Sequence, residues 1–184
     1  MADSWAEGLV SDLKGAGIEI GPSLAGSARS AIEADLGLRF PPDLAALLKV
    51  GMPKGDRFPD WHGGAAAVAD LVAAPVEGIL FDVKHNRLWL EDWGPRPAAT
   101  EDAVRVARAA LATVPALVPV WGHRYLPTEP HAAGNPVLSV VQTDVIVYGN
   151  DLADYFAHEF HLIRPKQTGI VSAAQIPFWG QFID

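Results

Sequence analysis

The stretch WGHRYLP, residues 121–127, concentrates four side chains that can take part in chemistry or recognition. They are an indole, an imidazole, a guanidinium and a phenol: Trp121, His123, Arg124 and Tyr125. An imidazole transfers protons near neutral pH, a guanidinium binds carboxylates and phosphates, and aromatic rings stack on ligands. Pro119 and Pro127 flank the stretch and restrict its backbone. Three interpretations follow, namely an active site, a binding surface and a structural turn.

His123 is the candidate for acid–base catalysis. Together with Asp144 or Asp151 it could act in a hydrolase, provided that the fold brings the side chains together. The nucleophile motif G-x-S-x-G does not occur in the chain. Without a nucleophile, His123 is better interpreted as a donor to a backbone carbonyl in a turn. We therefore predict no catalytic residue, and we do not expect an enzyme.

Near the end of the chain, His158-Glu159-Phe160-His161 is one residue short of the zinc motif H-E-x-x-H. Asp154, His158 and His161 have a spacing that would place them on one face of a helix. That face lies opposite an apolar stripe, where solvated polar residues are expected. The phosphate-binding motifs G-x-x-x-x-G-K-[ST] and G-x-G-x-x-G after a strand are also absent. We predict neither a metal nor a cofactor.

Charge and composition narrow the class of partner. The 184 residues include 22 acids and 14 Lys or Arg, which gives a formal net charge of −8. Binding to nucleic acid requires clustered basic residues, and no such cluster is visible. The charge favours a basic protein partner, because opposite fields steer association.

Composition also bears on location. The chain has no cysteine, which excludes disulfides and is compatible with a reducing cytoplasm. No signal peptide is recognisable, and no stretch approaches the roughly 18 apolar residues that a spanning helix needs. We therefore expect a cytoplasmic protein that binds no membrane. The sequence leaves its oligomeric state open.

Hydrophobic periodicity and capping residues predict the order of elements. Predicted helices cover residues 4–15, 23–37, 42–50, 65–74 and 100–113, and Asn150 or Asp151 caps a last one. Pro75 should end the fourth helix, and residues 79–90 should form a hairpin that turns at His85-Asn86. Residues 117–149 supply about three more strands, and the apolar end IPFWGQFID should dock on the body. This order predicts one α+β domain with a central mixed, largely antiparallel sheet flanked by helices.

A loop of about a dozen residues, rich in proline and glycine, follows Gly51. Ordered loops of this length often carry function. We expect a binding surface made of exposed loop residues at one end of the sheet: Asp56, Phe58, Asp60, Trp61, Trp93, His123, Arg124 and Tyr125. The alternative for Trp61 and Tyr125 is that they close the core beneath their loops.

The segment IEADLGLRFPPDL, residues 32–44, resembles the opening signature of the SUKH superfamily, the Smi/Knr-type proteins. Leu36-Gly37 ends one helix, Phe40-Pro41 turns the chain, and the next helix leads to Gly51. The stretches FPDW, GHRYLP, GNPVLSV, QTDVIVYGNDLADYF and IPFW are similar to a bacterial branch of that family. The match covers residues 28–184 of a single domain 1–184, and residues 1–27 form an N-terminal helix and lead-in.

The resemblance implies an α+β domain with no established catalysis. It implies a protein-binding module, and many members of the family look like immunity proteins that neutralise bacterial toxin domains. A regulatory scaffold of the same fold is the alternative that it leaves open. Val50 stands where a polar residue usually precedes the glycine, and the loop after Gly51 is specific to the branch.

Overall fold

The computed structural model describes residues 2–163 and 175–183. This part of the chain contains six α-helices and six strands. The helices are α1 (Ala2–Gly15), α2 (Gly26–Leu36), α3 (Pro42–Val50), α4 (Gly64–His85), α5 (Thr100–Leu111) and α6 (Leu152–Glu159). The strands are β1 (Glu19–Gly21), β2 (Met52–Lys54), β3 (Leu117–Trp121), β4 (Arg124–Pro127), β5 (Val137–Val141) and β6 (Asp144–Gly149). Short 3₁₀ turns lie at Trp61–Gly63, Glu91–Trp93 and Trp179–Phe182.

The strands form two antiparallel sheets, which confirms the α+β class. Strands β3, β4, β5 and β6 are adjacent in chain order in one sheet, and β1 pairs with β2 in the other. A single parallel bridge joins Val145 of β6 to Ile183. Pro119 lies within β3, which is tolerated because β3 is an edge strand and a proline there removes few ladder hydrogen bonds.

Both faces of the four-stranded sheet are covered along β3, β4 and most of β5, whereas β6 leaves Ile146 and Val147 exposed. Side chains alternate across a strand, so neighbouring residues enter different hydrophobic clusters. Val118, Leu126 and Val137 pack in one cluster with residues of α1, α2, α3 and α6. Leu117, Tyr125 and Leu138 pack in the other with residues of α4, α5 and the C-terminal turn. The sheet is therefore the middle of three layers.

Helix α4 replaces two predicted elements. We expected a helix that ends before Pro75 and then a hairpin that turns at His85-Asn86, and both expectations were wrong. One helix of 22 residues runs from Gly64 to His85 and contains Pro75 in its interior. Its second half buries Ile79, Leu80 and Val83 against the sheet.

Pro75 is tolerated inside α4 because the carbonyl that it frees has another donor. Proline has no N–H, so the carbonyl of Leu71, four residues earlier, loses its helical hydrogen bond. The hydroxyl of Tyr125 on β4 donates to that carbonyl oxygen over 3.1 Å. The buried phenol therefore completes the hydrogen bonding of a helix in the next layer.

Two other helix ends follow local rules. Gly37 adopts φ 64° and donates its N–H to the carbonyl of Glu33, as expected for a left-handed helix end. The carboxylate of Asp151 caps α6 by accepting from the N–H of Asp154 over 2.7 Å. The predicted docking of the C-terminal end is confirmed for the described residues: Trp179 is buried, and its indole N–H donates to the carbonyl of Pro115 over 2.7 Å.

The continuity of α4 also corrects the expectation about membrane spans. By length and composition the stretch Trp61–His85 is apolar enough to cross a bilayer, with a mean hydropathy of 1.6 in its most apolar window. A proline-terminated helix would not have reached this length. One such helix is weak evidence for membrane crossing, because core helices of soluble proteins pass the same test. The fold is compatible with a soluble protein.

A double-mutant cycle can test whether the Tyr125 hydroxyl replaces the missing N–H of Pro75 as the donor to the Leu71 carbonyl. We expect Tyr125→Phe to lower the free energy of unfolding by about 1–2 kcal/mol, because it leaves the buried Leu71 carbonyl without a donor. In the Pro75→Ala background the loss should fall below about 0.5 kcal/mol, because the new backbone N–H can bond that carbonyl. Urea unfolding of the four proteins measures the coupling. An equal loss in both backgrounds would contradict the interpretation.

Candidate functional site

The WGHRYLP stretch forms the hairpin between β3 and β4. Trp121 pairs with Arg124, which leaves Gly122 and His123 as the two residues of the turn. Gly122 has φ 54°, a left-handed conformation that suits a glycine in a tight hairpin. The turn therefore lies at the end of the sheet that also carries the β5–β6 connection.

The loop after β2 packs directly on this turn. The N–H of Gly122 donates to the carbonyl of Arg57 over 2.7 Å. The Arg57 guanidinium lies 3.9 Å from the centre of the Trp121 ring, within the range of a cation–π interaction. Arg57 is nevertheless exposed.

Aromatic rings from three elements meet beneath Arg57. Phe58 lies 6.5 Å from Trp121, and Phe160, just after α6, lies 5.8 Å from Trp121 and 5.9 Å from Phe58 between ring centres. All three rings are half-buried. We call the surface formed by Arg57, Phe58, Trp121, His123 and Phe160 the Arg57–Trp121 patch.

A shallow cleft of about 280 Å³ borders the patch. Residues of β2 and of the following loop line it: Met52, Pro53, Lys54, Gly55, Phe58, Pro59 and Asp60. Its walls combine apolar groups with one ammonium and one carboxylate. The loop that we selected for its length thus supplies both a concave surface and part of the patch.

Arg124 points away from solvent, under the turn. It is 8% exposed, its guanidinium donates to the hydroxyl of Ser139 over 2.9 Å, and it lies 3.8 Å from the centre of the Tyr148 ring. These contacts fix β4 to β5 and β6. Arg124 therefore supports the surface from inside.

Several nearby groups act on the pKa of His123. Partial burial and the nearby guanidinium groups of Arg124 and Arg57 lower the pKa of His123, and Glu159 opposes this effect. Neither Asp144 nor Asp151 is among the charged groups that act on it. Within the described residues, His123 makes no hydrogen bond with either carboxylate, so the acid–base pair of the hydrolase hypothesis is not assembled.

Only some of the predicted binding residues lie at the surface of this end of the sheet. Asp56 and Asp60 are exposed, and Phe58 and His123 are half-buried at the same end of the sheet. Trp93 lies elsewhere, beside Trp89 at 5.3 Å in the cluster on the opposite face of the sheet.

For three residues the expectation of exposure was wrong. Trp61 is buried and packs on Phe40 with ring centres 4.7 Å apart, and Arg124 and Tyr125 are buried below the hairpin. Trp61 and Tyr125 close the core, as the alternative interpretation had it.

Arg57, Trp121 and Phe160 belong to the patch but were not among the predicted binding residues. Their signals in the sequence are weak, because they come from three separate elements and show no common spacing. The stretch FPDW drew attention to Phe58, whereas nothing in the sequence connects Arg57 with Trp121.

Asp154, His158 and His161, whose spacing would place them on one helical face, do not share such a face. Helix α6 ends at Glu159, and His161 lies beyond it with φ 54°, so the helical spacing of His158 and His161 is lost. Asp154 accepts hydrogen bonds from the backbone N–H and the amide of Asn150. Among residues 2–163 and 175–183, no group of three or more His, Cys, Asp or Glu side chains could hold a metal ion.

Comparison of the chain with protein-family models, with curated proteins and with solved structures finds no match in any of the three.

The two guanidinium groups give His123 a testable titration behaviour. We expect its pKa to lie below 6.5 and to rise in Arg57→Gln, because that change removes a nearby positive charge. Lys54→Gln, a change to a cation that does not act on His123, is the matched control and should leave the pKa unchanged. NMR titration of the imidazole gives the pKa of His123 in the parent protein and in both variants.

The same shift sets the sign of a pH effect on stability. The unfolded chain binds a proton on His123 at its ordinary pKa of 6.5, whereas the folded chain binds it only at lower pH. The contribution of His123 is therefore fully present above pH 6.5 and declines as the pH falls toward the folded pKa. A folded pKa at or above 6.5, or no response to Arg57→Gln, would contradict this assignment.

Proposed function

We propose that the protein is a non-catalytic binding module that uses the Arg57–Trp121 patch and the adjoining cleft to contact a protein partner. The observation that carries the proposal is the exposed guanidinium of Arg57 stacked on the half-buried indole of Trp121. Arg and Trp are the residue types most enriched among the few side chains that dominate interface energies. Here they stand together on a surface, supported by packed aromatic rings.

Packing contacts beneath the patch hold its side chains in place before a partner binds. The backbone of Arg57 is tied to Gly122, and Phe58, Trp121 and Phe160 contact one another. A side chain held in place before binding loses little conformational entropy when a partner arrives. The patch is therefore suited to act as the buried centre of an interface.

Charge favours a basic partner. The exposed carboxylates of Asp56 and Asp60 flank the patch, and the chain as a whole carries a net charge of −8. Carboxylates at the rim of an interface speed the approach of a positively charged protein. The resemblance to the SUKH superfamily makes an immunity protein that neutralises a basic toxin domain in the cytoplasm the most concrete form of this proposal.

The direct test uses the protein encoded beside this gene. If that neighbour carries a toxin domain, the two proteins should co-purify as a 1:1 complex, and co-expression should protect cells from the toxin. Absence of binding and of protection would refute the immunity proposal. A neighbourhood without any toxin gene would favour the regulatory scaffold instead.

Within such a complex, Arg57 should dominate the affinity. We expect Arg57→Ala to raise Kd about five- to thirtyfold, because it removes a central side chain of the interface. Arg105→Ala is the matched control, since Arg105 is an exposed arginine on α5 that pairs with Asp102. Calorimetric titration gives both constants, and an equal effect of the two variants would refute the assignment of the patch.

Asp56 should act on the rate of association. Its carboxylate is exposed and flanks the patch, so Asp56→Asn should slow association by a factor of about two at low ionic strength. The difference should disappear at high salt, where charges are screened. Asp70→Asn on α4 removes another exposed carboxylate and serves as the control. Equal rates for the two variants in stopped-flow measurements would argue against a basic partner at this surface.

A further inference from the structure

Three buried polar atoms near the Arg57–Trp121 patch have no hydrogen-bond partner among the residues that the structure describes. They are Nε of Arg124, the hydroxyl oxygen of Tyr155 and Oε2 of Glu159. Tyr155 is 0% exposed and Arg124 is 8% exposed. Because a buried polar group without a partner is costly, each of these atoms requires a physical explanation.

The three side chains are neighbours in space. Tyr155 and Glu159 lie one turn apart on the same face of α6. Arg124 stacks 3.8 Å from the centre of the Tyr148 ring, and Tyr155 contacts the same ring with centres 6.1 Å apart. Burial raises the pKa of Tyr155, and Glu159 and Arg124 are the two formal charges with the largest effect on it. One cluster thus joins β4 to α6 below the hairpin turn.

Helix α6 cannot move away from this cluster without losing a close contact. A Cβ atom at Gly149 would lie 2.6 Å from Cβ of Tyr155, so the helix lies directly against the end of β6. The Tyr155 ring is also packed against Phe156 with centres 5.2 Å apart. The hydroxyl of Tyr155 is therefore held within the cluster.

The unpaired atoms complement one another as donors and acceptors. The Nε–H of Arg124 can only donate, the carboxylate oxygen of Glu159 can only accept, and the hydroxyl of Tyr155 can do either. A water molecule accepts and donates, and buried waters typically make about three hydrogen bonds to groups of this kind. We infer that Arg124, Tyr155 and Glu159 enclose a binding site for one ordered water molecule, which links β4 to α6.

This internal link has a consequence for the surface above it. Arg124 directly follows His123 of the turn, and Glu159 directly precedes Phe160 of the patch. A water that bridges the two elements holds both sides of the Arg57–Trp121 patch at a fixed separation. The inference concerns the free protein and holds whether or not the proposed partner exists.

The sign of one stability change tests the hydration site. If the Tyr155 hydroxyl were unpaired, Tyr155→Phe would remove a buried unsatisfied group and would leave the protein equally or more stable. If the hydroxyl bonds a bridging water, the same change removes a hydrogen bond, and Tm should fall by about 2–4 °C. Tyr125→Phe is the matched control, because its hydroxyl donates to the carbonyl of Leu71 and its loss lowers Tm in either case.

A crystal structure of the full chain provides the direct readout. The inference predicts a density peak for one water within about 2.6–3.2 Å of all three atoms. It also predicts that the peak shifts or is lost in Tyr155→Phe crystals. A Tm for Tyr155→Phe at or above that of the parent, with the Tyr125→Phe control lowered, would overturn it. A direct bond of Glu159 to Arg124 or Tyr155, with no water between them, would overturn it as well.

Discussion

The fold depends on one constraint, which is that both faces of the four-stranded sheet must be covered. Each strand from β3 to β5 sends apolar side chains to both sides, so two hydrophobic clusters need two separate layers of helices. Helix α4 contributes to both, with Val68 in one cluster and Ile79 in the other. A helix that long must run through Pro75, and the hydroxyl of Tyr125 in the sheet offsets the lost hydrogen bond. In the sequence Tyr125 resembles a surface residue of the hairpin, but its side chain connects the sheet to α4.

Local sequence rules predicted the elements whose ends carry their own signals. Gly37 and Gly51 close α2 and α3, and Asp151 caps α6. The rules failed at α4, because residues 79–83 alternate like a strand and Pro75 is normally a helix breaker. Tertiary contacts favour the helix over the strand. The buried Asp82 on α4 accepts hydrogen bonds from both the N–H and the hydroxyl of Thr143. Such a tertiary contact leaves no local pattern in the sequence.

The candidate site, too, was predicted from the sequence only in part. Length and composition identified the loop after Gly51, and the density of functional groups identified the hairpin turn. Which side chains reach solvent could not be read from either, because both faces of β4 are covered and both Arg124 and Tyr125 are therefore buried, whereas His123 lies in the turn and is half-buried. The contact between Arg57 and Trp121 joins residues that are distant in the chain, and only the packing of the loop on the turn creates it. Sequence reasoning therefore located the region but not the arrangement that supports a binding role.

The central claim is that this end of the sheet contacts a protein partner in the cell. It is tested most directly by site-specific photo-crosslinking in the organism that produces the protein, with a photoreactive amino acid at Asp56 and, as a control, at Asp70. Both positions are exposed, but only Asp56 flanks the patch. We predict one defined protein adduct from position 56 that is less abundant in the Arg57→Ala background, and none from position 70. No adduct at 56, or the same adduct from both positions, would contradict it.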